Sequence, residues 1–446
     1  MPQVDLSQVR RNDITIHTKD GFPLAATLFE PPNGVGVTAT VVFGAATGVY
    51  GKFYNDFAAW LAGNGVPSLT FDYRYFGSSF PPPIDAKSPD FDEDARNKAM
   101  QACPDDVNFT ETWARVDFAA VVRYMGERYK GVEMCLVGNS LGCHLMPLFP
   151  DEWHYISRFL CTCGGNAHWR NTPNPKASRY TIQTIVRNEM EESRLFPADW
   201  IGLGKSLPYG PGSQWCDWSD HPHFALKNKK DADIVRQLTG KPFLYVGFAD
   251  DTTMTKQMML TQMPLYNTSD GMKHSIWIDP ALQNPPWPTC GHVNSFMRTR
   301  PPKADPSAEP ESVEAAKDSN IAISADTAPP LKREETIWEL YLYFIATGKV
   351  PHNTPPAGYT PAASSPIVAP SMTSTTPSLT IRSRPYTVVA EHRIWTPAEE
   401  RDLPGERAAH DREVQWERTV GSWKAWAGGL LRKSKGKSKR KAAAKL

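Results

Sequence analysis

A short apolar run that ends in a glycine-flanked serine limits the fold of this chain more than any other feature. Val132 to Val137 (V-E-M-C-L-V) has the length and content of a buried strand. It leads into Gly138-Asn139-Ser140-Leu141-Gly142, a G-x-S-x-G turn, and Leu141 onward opens a helix. Strand, sharp turn and helix are the context in which a serine becomes a nucleophile at the carboxyl edge of a sheet. Such a turn strains the serine backbone, and glycines on either side remove side chains that would collide across it. The Leu141 N–H is then aimed where an oxyanion forms.

The rest of the chain supplies a sheet around that strand. Asn12–His17 and Pro23–Phe29 read as a hairpin joined through Lys19-Asp20-Gly21. Buried strands follow at Thr38–Phe43, Val66–Asp72, Ile156–Cys161, Phe243–Phe248 and Ser275–Ile278. Helical patterns separate them at Phe53–Gly63 and at Thr112–Tyr129, the latter with Trp113, Val116, Ala120, Tyr124 and Val121 facing in. Alternating strands and helices predict an α/β fold, a mostly parallel sheet covered on both faces. Residues 80–108, rich in proline and aspartate, read as a surface excursion. Residues 165–240 break the rhythm and are expected to form a lid over the carboxyl ends of the strands.

Composition changes after the sheet. Residues 299–333 are Pro, Ala, Ser and charge, so they read as a disordered insertion within a domain spanning 1–350. Thr336–Ala346 returns to a strongly apolar helix expected to dock on the sheet. Residues 351–400 form a Pro/Ser/Thr-rich linker, and 401–446 a basic tail. Within the tail, Trp416, Val420, Trp423, Ala427 and Leu430 share a helical face beside basic residues. A helix over 412–431 would therefore either touch a membrane surface or pack back on the domain.

Seven scattered cysteines without a secretory leader read as reduced thiols. Cys161 and Cys163 are the one tight pair, and no further Cys or His follows at ligand spacing, so neither a metal nor a cofactor is expected. The net charge of +1 gives no sign of nucleic-acid binding, and no apolar run reaches the length of a membrane span. The chain ends in Ala444-Lys445-Leu446, similar to the peroxisomal S-K-L address. The expectation is a peroxisomal import receptor at Leu446, with cytoplasm or nucleus as the alternative.

A serine hydroxyl needs a base, and the base needs a carboxylate. Phe243–Phe248 runs into Ala249-Asp250-Asp251, and Cys290-Gly291-His292 follows the last strand. This is the chain order Ser, Asp, His. His292 is the expected base. Spacing from Gly247 favours Asp250, whereas the residues that follow (D-T-T-M-T) favour Asp251, which is preferred as the acid. The second oxyanion donor is expected in the small-residue loop Gly44–Gly48, at Ala46.

With those positions laid out, the sequence resembles the α/β-hydrolase superfamily, and within it the predicted hydrolases of the serine-aminopeptidase-like branch. The likeness is carried by T-K-D-G-F-P-L-A-A-T-L-F-E-P, G-A-A-T-G-V-Y-G-K-F-Y, V-P-S-L-T-F-D-Y-R-Y-F-G-S-S, V-G-N-S-L-G, L-P-Y-G-P-G-S-Q-W-C-D-W, F-A-D-D and G-H. It spans roughly residues 12–350 without the insertion. It implies a Ser140–His292–Asp251 triad acting on a small-molecule acyl substrate, an ester or thioester. Transfer to another nucleophile, or a catalytically silent binding module, are the alternatives. Lid aromatics Trp169, Trp200, Trp215 and Trp218 would suit an apolar acyl group. Asn139 stands where such elbows often carry histidine.

Overall fold

The computed structural model of the chain describes residues 6–266, 272–283, 286–298, 333–350 and 388–392. One sheet organises them. Its strands are β1 (Arg10–His17), β2 (Pro23–Glu30), β3 (Thr40–Gly44), β4 (Ser68–Phe71), β5 (Met134–Asn139), β6 (Ile156–Thr162), β7 (Phe243–Phe248), β8 (Lys273–Ile278) and β9 (Val388–His392). The spatial order is β1-β2-β4-β3-β5-β6-β7-β8-β9. From β4 to β8 every pairing is parallel, whereas β1 and β2 enter antiparallel and β9 closes the far edge antiparallel.

Burial follows from this order. Every residue of β3, β4, β5 and β7 is buried, as expected where helices cover both faces of a parallel sheet. β1 lies at the edge and exposes Arg10, Arg11 and Asp13, charges that discourage pairing with another strand. The chain leaves β3 toward β4 on one side and then crosses to β5 on the other. The crevice beyond the ends of β3 and β5 is therefore a topological switch point, where open α/β sheets bind ligands. An opening antiparallel hairpin, this strand order and a serine turn after β5 together make the α/β-hydrolase fold.

The turn depends on two close backbone approaches. A Cβ on Gly142 would sit 2.0 Å from the Gly44 carbonyl oxygen, and one on Gly138 would meet the Cys143 nitrogen at 2.7 Å. The short helix Leu141–Leu145 can thus start directly against the end of β3. Ser140 takes φ +50° between them.

Several expectations need correction. Residues 80–108 are more than an excursion. They contain a helix, Glu93–Gln101, and bury Ala99, Met100, Cys103 and Val107. They also brace the lid: Gln101 donates to the Ser193 carbonyl at 2.8 Å, and Arg194 pairs with Asp105. The helix expected at 112–129 starts at Phe109, with wide i→i+5 bonding to Phe118 and ordinary winding over Ala119–Arg128. Its Val116 is only half-buried, while Asp117 is fully buried against Arg74, whose other face pairs with Asp20. A purely apolar reading of the helix face could not place an acid inside.

Val388–His392, assigned to a linker by composition, instead extends the sheet beside β8. The helix Arg333–Thr347 docks as expected, burying Trp338, Tyr341 and Phe344, and its Trp338 indole donates to the Ser295 carbonyl at 2.9 Å. Residues 299–332, the remainder of 351–400, and the basic tail with its helix and Ala-Lys-Leu end lie outside the described residues.

Two glycine substitutions separate steric need from conformational need. Gly131, at φ +80°, has open space around an added Cβ. Gly131→Ala should cost about 1 kcal/mol, the usual penalty for a side chain in left-handed backbone. Gly142→Ala should cost about 3 kcal/mol or more, because the sheet end must move. Urea denaturation of both variants checks the ordering.

Candidate active site

Three loops converge on the switch point. The first is the elbow, where the Ser140 N–H donates to the Thr162 carbonyl at 3.0 Å and the Cys143 N–H returns to the Ser140 carbonyl. The second leaves β7. Here Asp251 turns back on itself, its Oδ1 accepting from the Thr253 and Met254 amides, each at 2.8 Å. Its other oxygen, Oδ2, is 2.8 Å from His292 Nδ1. With a carboxylate as partner, Nδ1 is the protonated ring nitrogen and Nε2 keeps its lone pair. That Nε2 is buried and makes no hydrogen bond among the described residues, so its acceptor site is open.

Asp250 does something different. Its Oδ2 accepts from the Cys290 amide at 2.8 Å and the Thr289 hydroxyl at 2.7 Å. It thereby fixes the start of the third loop, which carries Gly291 at φ +46° and then His292. Adjacent aspartates thus face opposite tasks, one bonded to the ring and one to the loop that presents it. Spacing from Gly247 points to Asp250, whereas the ring bonds to Asp251, the residue favoured by the D-T-T-M-T that follows.

Ala46 does not fit the oxyanion assignment. Its N–H donates to Tyr54 Oη at 3.0 Å, and Tyr54 in turn donates to Asn139 Oδ1 at 2.9 Å. The Ala45 and Thr47 amides on either side have no hydrogen-bond partner among the described residues. Thr47 lines the same cavity as Ser140 and Leu141. A tyrosine reaching the loop from the following helix is a contact that composition does not announce.

Asn139 is the residue that sequence reasoning passed over. Its Nδ2 donates to the Thr162 carbonyl and to the His292 carbonyl, both at 3.1 Å. One buried amide therefore joins the elbow, the end of β6, the base loop and, through Tyr54, the loop after β3. The unusual G-N-S-L-G motif was the available signal. Histidine at this position could not supply the same acceptor and two-donor set.

Ser140 opens into a cavity of about 530 Å³ roofed by the lid. Trp200, Trp215, Ile182 and Phe224 supply apolar wall, and Thr172, Asn174, Ser178 and Thr181 supply neutral polar groups. Among the described residues, no Asp, Glu, Lys or Arg lines it. Of the four expected lid tryptophans, Trp218 is buried against Phe109 and Trp169 is held between Arg170 and Arg179, so neither joins the wall. His144, one turn past Ser140, lines the cavity as well. It packs edge-on to Phe224 at 5.0 Å, and burial lowers its pKa to about 4.

No family model and no curated protein matches the chain. Among solved structures it is similar to DcsB in complex with its substrate analogue, at 12% identity over 64% of this chain and 92% of that one, with a TM-score of 0.42. It is similar to a soluble variant of monoglyceride lipase from Saccharomyces cerevisiae, at 14% identity over 63% and 89%, with a TM-score of 0.42. A Pyrococcus furiosus esterase gives 15% identity over 66% and 87%, with a TM-score of 0.38. At such distances the fold assignment rests on the strand order and the serine turn.

Removing the Tyr54 hydroxyl leaves the Ala46 amide and the Asn139 carbonyl without a partner. Tyr54→Phe should lose about 1–3 kcal/mol of stability, read by urea denaturation. His144 gives a pH signature. The folded ring stays neutral down to about pH 4, while the unfolded ring titrates near its ordinary value of 6.5. The unfolded state binds the extra proton between those values, so stability falls as pH drops from 6.5 toward 4, by up to about 3 kcal/mol. Unfolding measured across that range should show a steeper slope than that of His144→Gln, which keeps the contribution of His168, also lowered by burial to about 4.

Proposed function

We propose that this protein is a serine hydrolase that cleaves an uncharged carboxylic ester or thioester. The observation that carries the reading is the His292 Nδ1–Asp251 bond, which leaves Nε2 as a lone-pair acceptor on a loop tied through Asn139 to a nucleophile elbow whose serine is held at φ +50°. His292 Nε2 takes the proton as Ser140 Oγ attacks the acyl carbon. The Leu141 amide and an amide of the Ala45–Thr47 loop receive the oxyanion. The leaving alcohol or thiol departs with the proton from His292. Water, deprotonated by the same nitrogen, then releases the acid from Ser140. Asp251 holds the ring in the required tautomer and stabilises the imidazolium.

The walls of the cavity support the substrate class. An ammonium, carboxylate or phosphate taken into it would lose water with no opposite charge to meet, which costs several kcal/mol. A neutral acyl group with apolar body and a few hydroxyl or amide contacts fits the lining. A free amino terminus does not, which separates this site from that of an aminopeptidase.

A fluorophosphonate should label the wild type at Ser140, and Ser140→Ala and His292→Ala should abolish labelling. Asp251→Asn should slow it about 10³-fold or more, whereas Asp250→Asn should retain labelling within about tenfold. Among p-nitrophenyl esters of equal length, neutral acyl groups should exceed those ending in a carboxylate or ammonium by about 100-fold in kcat/KM. Equal slowing by both aspartate variants, or faster turnover of the charged esters, would contradict this reading.

A further inference from the structure

Cys163 is a buried thiol at the point where β6 meets the site loops. It follows β6 directly, has φ +50° although it is not glycine, and is 2% exposed. Its N–H is fixed to the Val246 carbonyl at 2.8 Å, so this left-handed backbone is held firmly. That backbone sends the side chain into the space between the acid loop and the base loop, with Sγ 3.7 Å from the Gly291 carbonyl oxygen. There the sulfur, a carboxylate oxygen of Asp251 and an imidazole nitrogen of His292 all lie within 4.8 Å of one another. No other set of three such side chains comes together among the described residues.

We propose that Cys163, Asp251 and His292 form an inhibitory site for Zn²⁺, which switches the triad off by taking its acid and its base together. Thiolate, imidazole and carboxylate are the three protein ligands zinc prefers, and a water completes four-coordination. Tetrahedral zinc places its ligand atoms about 3.5 Å apart, so the Asp251–His292 pair at 2.8 Å has to open slightly, while no ligand atom has to close by more than about 1.3 Å. Asp251 is already oriented by the Thr253 and Met254 amides, the kind of outer contact that aims a metal ligand. His292, with a side chain 14% exposed, is the exposed member through which the ion enters.

The proton balance gives the inhibition its mechanism. The neutral ring carries one proton, on Nδ1 facing Asp251. When zinc takes the Nδ1 lone pair, that proton is carried by Nε2, and the Cys163 thiol gives up its own proton to solvent. A protonated Nε2 accepts nothing from Ser140. Without zinc, Nδ1 keeps its proton on the Asp251 bond and the triad is undisturbed. The ion is thus both the effector and the agent that deprotonates its own ligand.

The inhibitory consequence rests on the serine hydrolase reading, but the site does not, and two readouts on the full chain separate them. The first is the thiolate-to-metal charge-transfer absorption that Cd²⁺ gives on binding sulfur. One equivalent should produce the band in the wild type and not in Cys163→Ser or Cys163→Ala. The second is fluorophosphonate labelling during a Zn²⁺ titration. Both variants should label at the wild-type rate without metal, and their half-inhibitory zinc concentration should rise about tenfold or more. EDTA should restore labelling of the wild type. A band that persists in both variants, or zinc inhibition at an unchanged concentration, would overturn the proposal. Absence of labelling with the band intact would count against the hydrolase reading and leave the metal site standing.

Discussion

The contact between the Gly44 carbonyl and Gly142 is the constraint on which the site depends. It lets the helix after Ser140 begin against the end of β3, and a side chain on Gly142 would push the two apart. With that helix in place, the chain can reverse in one residue, which forces Ser140 to φ +50°. The positive φ is thus a consequence of packing rather than a local choice of the serine. The surrounding β3–β5 pairing, with Gly44 opposite Gly138, keeps both glycines in register. Strain at one residue is sustained by a buried parallel sheet on each side of it.

A second layer of order comes from side-chain amides and hydroxyls. Ser140, Asp251 and His292 come from loops far apart in sequence, and apolar packing alone positions loops poorly. Asn139 bonds to the base loop and the end of β6, Tyr54 links it to the loop after β3, and Asp250 and Trp338 hold the base loop from its two sides. Each partner is buried or half-buried, so a broken bond would leave a polar group without water. That penalty makes the network rigid. It also makes the helix Arg333–Thr347, remote in sequence from the elbow, part of what presents His292.

What could be read in the sequence was whatever is encoded locally. The elbow needs a strand, two glycines and a helix within a dozen residues, and all six strands of the parallel core carry their own apolar runs. Gly291-His292 after the last of these was legible for the same reason. Relationships across the fold were not. Ala46 has the small side chain an oxyanion loop wants, but whether its amide is free depends on Tyr54. Asp117 interrupts an apolar helix face because Arg74 waits inside. Val388–His392 has no pattern to distinguish it from linker until β8 offers an edge, and a proline-rich composition hid the helix under the lid. Cys163 paired in spacing with Cys161, while its neighbours in space are Asp251 and His292.

That last case bears on how such a site is regulated. A triad of serine, histidine and aspartate works because the carboxylate holds one tautomer of the ring. Anything that competes for Nδ1 reverses the tautomer without touching the serine, the oxyanion amides or the cavity. A thiol beside this bond supplies the missing third ligand for a metal that would otherwise bind the pair weakly. The thiol is buried and does not line the cavity that Ser140 opens into, so it stands apart from the substrate chemistry proposed for that cavity. Binding has to displace the thiol proton, so under this proposal the site responds to zinc only when the free metal is abundant enough to do so.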